Sequence, residues 1–167
     1  MNEKINILRA ILIALLLMMF VIIFNFSNQN GDKSGNLSRE VTEEVTKNIN
    51  SIQKLEKSEK EKALNEIEHY IRKLAHFSLY LIVGILTMSL MCTFDLKNVK
   101  KIFASLGIGV VYACSDEVHQ LFILDRTASI IDVFIDSSGV CVGILIVYCI
   151  AKKFIYNKNL KKSLHKF

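Results

Sequence analysis

The sequence predicts an all-α integral membrane protein, a four-helix bundle with an extracytoplasmic helical segment between its first and second helices. Three observations carry this. Apolar runs of spanning length recur along the chain, lysines gather at the short flanks of those runs, and ionisable residues collect at one end of three of them. The composition agrees, with 51% hydrophobic residues and a mean hydropathy of +0.35. There is no Pro, so no proline kink is available to any helix. The 167 residues suffice for one domain, taken as 1–167.

Ile5–Phe24 is broken only by Asn6 and Arg9. As a helix rising ~1.5 Å per residue it crosses a hydrocarbon core of ~30 Å. Lys4 and Arg9 give it a basic leading end. Its apolar part exceeds the ~7–15 residues of a signal-peptide core, and no small-x-small site follows, so it reads as an uncleaved first span. Asn25–Asn36, with Gly31 and Gly35, reads as a polar loop. From Leu37 to Ile71 apolar residues are sparse, but Val41, Val45, Ile49 and Ile52 recur at helical spacing, as do Leu64, Ile67 and Ile71. Two amphipathic helices are expected there, the first capped by Ser38 and the two joined near Leu55–Ser58. They lie on the membrane surface or stand off it as a soluble hairpin. Leu74–Cys92 is the second span, with Arg72 and Lys73 at its entrance, and Asp95–Lys101 is a polar link. Ile102–Leu124 is the third span. Ile130–Ala151 is the fourth, with Asp132 and Asp136 in its first two turns. Ser129, three residues before Asp132, resembles a capping box with Asp in the Glu position. The tail from Lys152 to Phe167 is basic.

Net charge is +5. The lysines stand beside apolar runs and no nucleic-acid signature accompanies them, so the expected partner is the bilayer and not nucleic acid. The Asp95–Lys101 link and the tail together hold nine Lys and one Asp, which assigns both to the cytoplasm. The Asn25–Ile71 segment holds seven Lys or Arg and nine acids, a poorer signal because of its length. Four spans with both termini cytoplasmic then place Asn25–Ile71 and the Asp125–Ser129 loop outside. The four cysteines, Cys92, Cys114, Cys141 and Cys149, lie in apolar runs without a CxxC spacing. They read as reduced thiols facing lipid or core, not as a zinc or disulfide framework.

That topology brings the polar residues to one depth near the outer leaflet. Arg72, His76 and Tyr80 are spaced four apart on the second span and share a face. Asp116, Glu117, His119 and Gln120 end the third. Asp132 and Asp136 begin the fourth, and Arg126 lies in the loop between. Four acids cannot all stand charged and unpaired in lipid, so arginine, histidine, water or a cation must offset them. Gly139 with Gly143, and Ser105 with Gly109, supply small-xxx-small pairs for close helix packing.

These blocks resemble a known family. Arg72-Lys73-x-Ala75-His76-x-x-x-Tyr80, then Asp116-Glu117-x-x-Gln120-x-Phe122, then Arg126, Asp132, Asp136 and Gly139 look like the pattern of VanZ-like membrane proteins. Ser27, Gln29 and Ser34 fit that family's early Ser/Gln-rich segment. Many relatives carry Pro-Gly just before the arginine, where this chain has Leu124-Asp125. The resemblance implies a four-helix bacterial membrane protein of the kind linked to low-level resistance to the glycopeptide teicoplanin. It brings no settled biochemical activity.

Three functions compete. A pocket with arginines and carboxylates in the outer leaflet suits binding or modification of an anionic, lipid-linked envelope molecule. Ser115, Ser137 and Ser138 are nearby without triad spacing, so no catalytic residue is assigned. A metal-assisted variant would draw on His76, Glu117, His119, Asp132 and Asp136, but no HExxH is present and no metal or other cofactor is assigned. The second reading is non-enzymatic: the protein limits antibiotic access to its target, and the charged cluster is a structural network. A small transporter is the weakest, since four helices show no internal repeat.

Overall fold

The computed structural model describes residues 3–28, 31–123 and 128–164, with side chains over 3–28, 38–123 and 128–153. Gln29, Leu124, Asp125, Arg126, His165 and the side chain of Ser34 fall outside these limits. The elements are all helices: α1 (Glu3–Ser27), α2 (Gly31–Thr46), α3 (Asn50–Gln53), α4 (Lys57–Cys92), α5 (Asn98–Gln120) and α6 (Ile130–Leu164). Among the described residues no strand occurs. Three helices are long and apolar enough to cross a membrane: α1, α4 and the Ile130–Lys153 part of α6. α5, with 23 residues, has the length. Lys100 and Lys101 near one end and Asp116, Glu117 and His119 near the other interrupt its apolar stretch.

Several boundaries differ from the sequence expectation. α5 begins at Asn98, inside the expected polar link, and α6 continues to Leu164 through the expected tail. The loop expected over Asn25–Asn36 is largely helical, because α1 runs to Ser27 and α2 begins at Gly31. Apolar periodicity could not show this, since 31–36 holds no apolar side chain to mark a face. The second amphipathic helix and the second span are one continuous 36-residue helix, α4. Nothing between Lys57 and Cys92 breaks it: there is no proline and its one glycine is Gly84. At 1.5 Å per residue it is ~54 Å long, well beyond a ~30 Å hydrocarbon core.

The first half of α4 pairs with α2 as an antiparallel hairpin. Arg39 Nη1 donates to Asn65 Oδ1 at 2.6 Å, and Ser38 Oγ to Glu68 Oε1 at 3.3 Å. At the other end Gln53 Nε2 donates to the Thr46 carbonyl at 3.2 Å. The face of α2 that packs is Ser38, Thr42 and Thr46, all buried, so the Val41, Val45 and Ile49 stripe is left exposed. Thr42 and Thr46 satisfy their hydroxyls on carbonyls one turn back, at 2.7 Å each.

Beyond the hairpin, α4 and α6 run parallel and nearly touch. A Cβ on Gly139 would overlap the Phe77 carbonyl oxygen, one on Gly143 the Leu81 carbonyl, and one on Gly84 the Val140 carbonyl. Only glycine permits that approach. α5 runs antiparallel to both: Ser105 reaches Met88 Sδ at 3.7 Å, and Gly109 faces Val140. A Cβ on Gly107 would meet nothing within 4 Å. α1 lies alongside α4 and α5. Its Arg9 donates to the Thr93 hydroxyl at 3.0 Å and the Thr93 carbonyl at 2.6 Å, and stacks over Phe94. Thr93 is the C-cap of α4, so the guanidinium meets orphan carbonyls at a helix's negative end. The shared core includes Ile23, Tyr80, Val83, Met88, Ala113, Val140 and Ile144. The outer surface is apolar instead of polar, with Leu8, Leu17, Val21, Phe103, Val111, Phe134 and Leu145 exposed. So continuous an apolar exterior is the mark of a chain surrounded by lipid. The four cysteines are exposed free thiols on that exterior.

Candidate functional site

The parallel α4–α6 pair and antiparallel α5 bring the start of α6, the end of α5 and the middle of α4 to one level. Tyr80, Asp116, Glu117, Gln120 and Asp136 are buried there. Each helix supplies its residues from one face. His76 and Tyr80 are one turn apart on α4, Asp116 and Gln120 on α5, Asp132 and Asp136 on α6.

The start of α6 explains two of the acids. Ser129 occupies the N-cap, and its carbonyl accepts from Asp132 N at 3.0 Å. A capping box within one helix would turn the Asp132 carboxylate back to the Ser129 amide. Here Glu117 of α5 takes that place, its Oε2 accepting from Ser129 N at 2.8 Å. The cap is completed across helices, which ties the end of α5 to the start of α6. Asp132 is thereby released, and its Oδ1 lies 2.9 Å from Lys73 Nζ.

The basic residues are arranged differently from the expectation. Lys73, at the entrance of the second span, is the cation that reaches the acids. Arg72 points along its own helix, Nη2 at 2.8 Å from Glu68 Oε1, toward the α2 hairpin. Glu68 also lies 3.8 Å from Arg39, so Arg72 belongs to a charged strip joining the hairpin to α4. Arg126 is outside the described residues. His119 does not join the acids either: its ring stacks on Phe24 of α1, centroids 4.7 Å apart. His69 is exposed.

At the centre the partners thin out. Asp116 Oδ2 accepts from Gln120 Nε2 at a long 3.4 Å. Asp136 is 1% exposed, and neither carboxylate oxygen has a hydrogen-bond partner among the described residues. His76 Nδ1 stands 3.9 Å from its Oδ2, too far for a hydrogen bond. The Tyr80 hydroxyl is fully buried, lacks a hydrogen-bond partner among the described residues, and lies within electrostatic range of Asp116 and Asp136. One donor atom from each of His76, Asp116 and Asp136 lies within 4.8 Å of the other two, a spacing a metal ion could occupy. Glu117 and His119, from the set a metal-assisted chemistry would draw on, are engaged elsewhere.

Sequence reasoning missed Tyr112. Its ring stacks on Phe20 at 3.9 Å, its hydroxyl donates to the Phe20 carbonyl at 2.5 Å, and it stands 6.2 Å from the Tyr80 ring. The signal was present, since Tyr112 precedes Asp116 by one helical turn. It closes the inner side of the cluster against α1. Ser27 ends α1 fully buried, its hydroxyl without a partner among the described residues.

Chemically, the cluster can hold a cation, share protons among carboxylates and imidazole, or receive a polar head group through Lys73. It offers little nucleophilic catalysis. Ser115 Oγ donates to the Tyr112 carbonyl at 2.7 Å and Ser138 Oγ to the Ile135 carbonyl at 2.6 Å, each within its own helix.

The family model described as VanZ/LLP1 matches residues 12–152 of the chain. No curated protein and no solved structure matches.

Proposed function

Since the chain belongs to the VanZ/LLP1 family, we propose that it is a four-span protein of the bacterial cytoplasmic membrane whose polar pocket takes the anionic head group of a lipid-linked envelope molecule. On this reading residues 1–167 form one domain, with spans near 5–24, 74–92, 102–124 and 130–151. α5 is the third span, both termini are cytoplasmic, and 25–71 is extracytoplasmic. Holding such a molecule would lower the access of a glycopeptide such as teicoplanin to its envelope target. Binding is favoured over turnover because the nearby Ser115 and Ser138 are committed to their own helices.

One observation carries the reading. Tyr80, Asp116, Glu117, Gln120 and Asp136, none more than 6% exposed, meet at one end of an otherwise apolar helix assembly. Stability alone is a poor reason for this, since apolar groups of equal volume in place of buried ionic ones are often neutral or stabilising. Lys73, which reaches the acids from α4, supplies a cation that a phosphate would meet.

The structural-network reading rests on two other observations, the Lys73–Asp132 pair and the Glu117 cap on α6. Binding separates the two. Purified protein in detergent is offered polyprenyl phosphate and the uncharged polyprenol, and retention is followed by native mass spectrometry. The pocket reading expects retention of the phosphate alone, and its loss in Lys73→Gln. Equal retention of both, or of neither, leaves the network reading standing.

A further inference from the structure

We propose that His76, Asp116 and Asp136 form a binding site for a divalent transition-metal ion, Mn2+ or Zn2+. The inference deepens the pocket reading above, because a metal there would be the group that meets an anionic head.

The donors come from three helices, α4, α5 and α6, with one ligand atom of each within 4.8 Å of the others. Metal–ligand bonds of ~2.0–2.2 Å place neighbouring ligand atoms roughly 3–4 Å apart, so sub-ångström side-chain shifts close the site. Two independent features separate this trio from a chance gathering of acids. Asp136 is 1% exposed and both of its oxygens lack a hydrogen-bond partner among the described residues. The Tyr80 hydroxyl, fully buried on the next turn of α4 after His76, is in the same condition. Groups so placed are aimed at something the protein side chains do not supply.

Charge points the same way. Lys73 is engaged by Asp132 at 2.9 Å, and Glu117 is occupied by the Ser129 amide. Asp116 has one long bond from a neutral amide. Among the described residues, the ion-pair partner within 4.0 Å of Asp136 is His76, at 3.9 Å. A divalent ion would offset both aspartates at once. One imidazole and two carboxylates form a mixed donor set, borderline to hard, that suits Mn2+ or Zn2+. It has too few oxygens for a Ca2+ cage. Three protein ligands leave coordination positions open, where an anionic oxygen could bind.

The test uses the full chain in detergent, stripped with a chelator and reloaded. Mn2+ binding is followed by electron paramagnetic resonance, and Zn2+ content by elemental analysis after desalting. One ion per chain is expected. Asp136→Asn and Asp116→Asn should each weaken Mn2+ binding by at least about tenfold. His76→Gln should do the same, and His119→Ala should bind like the unaltered chain. Size exclusion and thermal melting identify variants that fold, and any one of the three ligand variants that folds is sufficient. No saturable uptake by the unaltered chain, or equal affinity in a folded ligand variant, overturns the site. So does a loss in His119→Ala as large as that in Asp136→Asn. Because uptake is read without lipid, the two readings fail separately. Polyprenyl phosphate retained by a chain that takes up no metal removes the metal site alone. Metal bound by a chain that retains no anionic lipid removes the lipid reading alone.

Discussion

At the scale of single residues, the glycines give the most direct expectation. α4 and α6 approach so closely at Gly143 that an added Cβ overlaps the Leu81 carbonyl and lies 2.8 Å from Ile85 N. Both obstacles are backbone and cannot swing aside. Gly143→Ala should therefore lower stability by ~1–3 kcal/mol through overpacking. Gly107→Ala, where nothing lies within 4 Å, should be neutral or raise stability by up to ~1 kcal/mol through helix propensity. Thermal melting of the two proteins in one detergent checks the contrast, and equal melting temperatures would refute the packing argument. A second residue-scale expectation concerns Lys73 and Asp132, a pair whose side chains are 25% and 35% exposed. Partial exposure screens it, so a double-mutant cycle of Lys73→Gln and Asp132→Asn should give a coupling of only about 0.5–1 kcal/mol. A coupling near zero would mean the pair is not formed in solution. Periodicity showed that Asp132 shares a face with Asp136. It could not show that Lys73 instead of Arg72 would be the partner, because that depends on the rotation of α4 and on Glu68 drawing Arg72 toward the hairpin.

At the scale of elements, the boundaries that apolar patterning could see were legible, and those set by polar chain were not. α6 starts at Ile130, where its apolar run begins, whereas α5 starts at Asn98, four residues before its run and inside the polar link. α2 begins six residues before Leu37, in Gly31–Asn36, where polar residues carry the helix. Patterning divides α4 into two elements because its character changes from charged to apolar near Arg72. A helix needs no change of backbone at such a point, only the absence of a breaker, and 57–92 has no proline. The continuous helix makes a metric prediction. With the other cysteines replaced, spin labels on Lys60→Cys and native Cys92 should lie ~48 Å apart, the rise of 32 residues along one helix. A distance distribution centred below ~40 Å would mean that the helix bends near Arg72 and that the hairpin folds back onto the bilayer. α2 bears on the same question. Its valine stripe is exposed because Ser38, Thr42 and Thr46 took the packing face, which amphipathic spacing alone assigns the other way.

At the scale of the whole molecule, the organising fact is that the four long helices alternate in direction. Arg9 of α1 meets the end of α4 at Thr93, while Phe24, fifteen residues later, stacks on His119 near the end of α5. α1 therefore runs from the Thr93 level to the polar level, α4 runs back, α5 returns, and α6 runs back again. The lysine-rich link after Cys92 lies at the opposite level from the buried acids. That arrangement was legible, because apolar runs of spanning length and short basic flanks constrain order and direction before any packing is known. The inner wiring of the buried cluster was less so, because the Glu117 cap on Ser129 and the stacking of His119 on Phe24 depend on helix rotations that spacing does not set. With this order of helices, the basic flanks decide which side is which. On the reading proposed above, the positive-inside preference would put Asp95–Lys101 and the basic tail in the cytoplasm, and the acids and the α2 hairpin outside. Single cysteines at Ser34 and Ser163, in a chain with its four native cysteines replaced, test this in intact cells. A membrane-impermeant thiol reagent should label Ser34→Cys from outside and should reach Ser163→Cys only after the cells are opened. The reverse pattern would invert the protein, and the pocket would then face the cytoplasmic leaflet, where no glycopeptide acting from outside could meet what it holds.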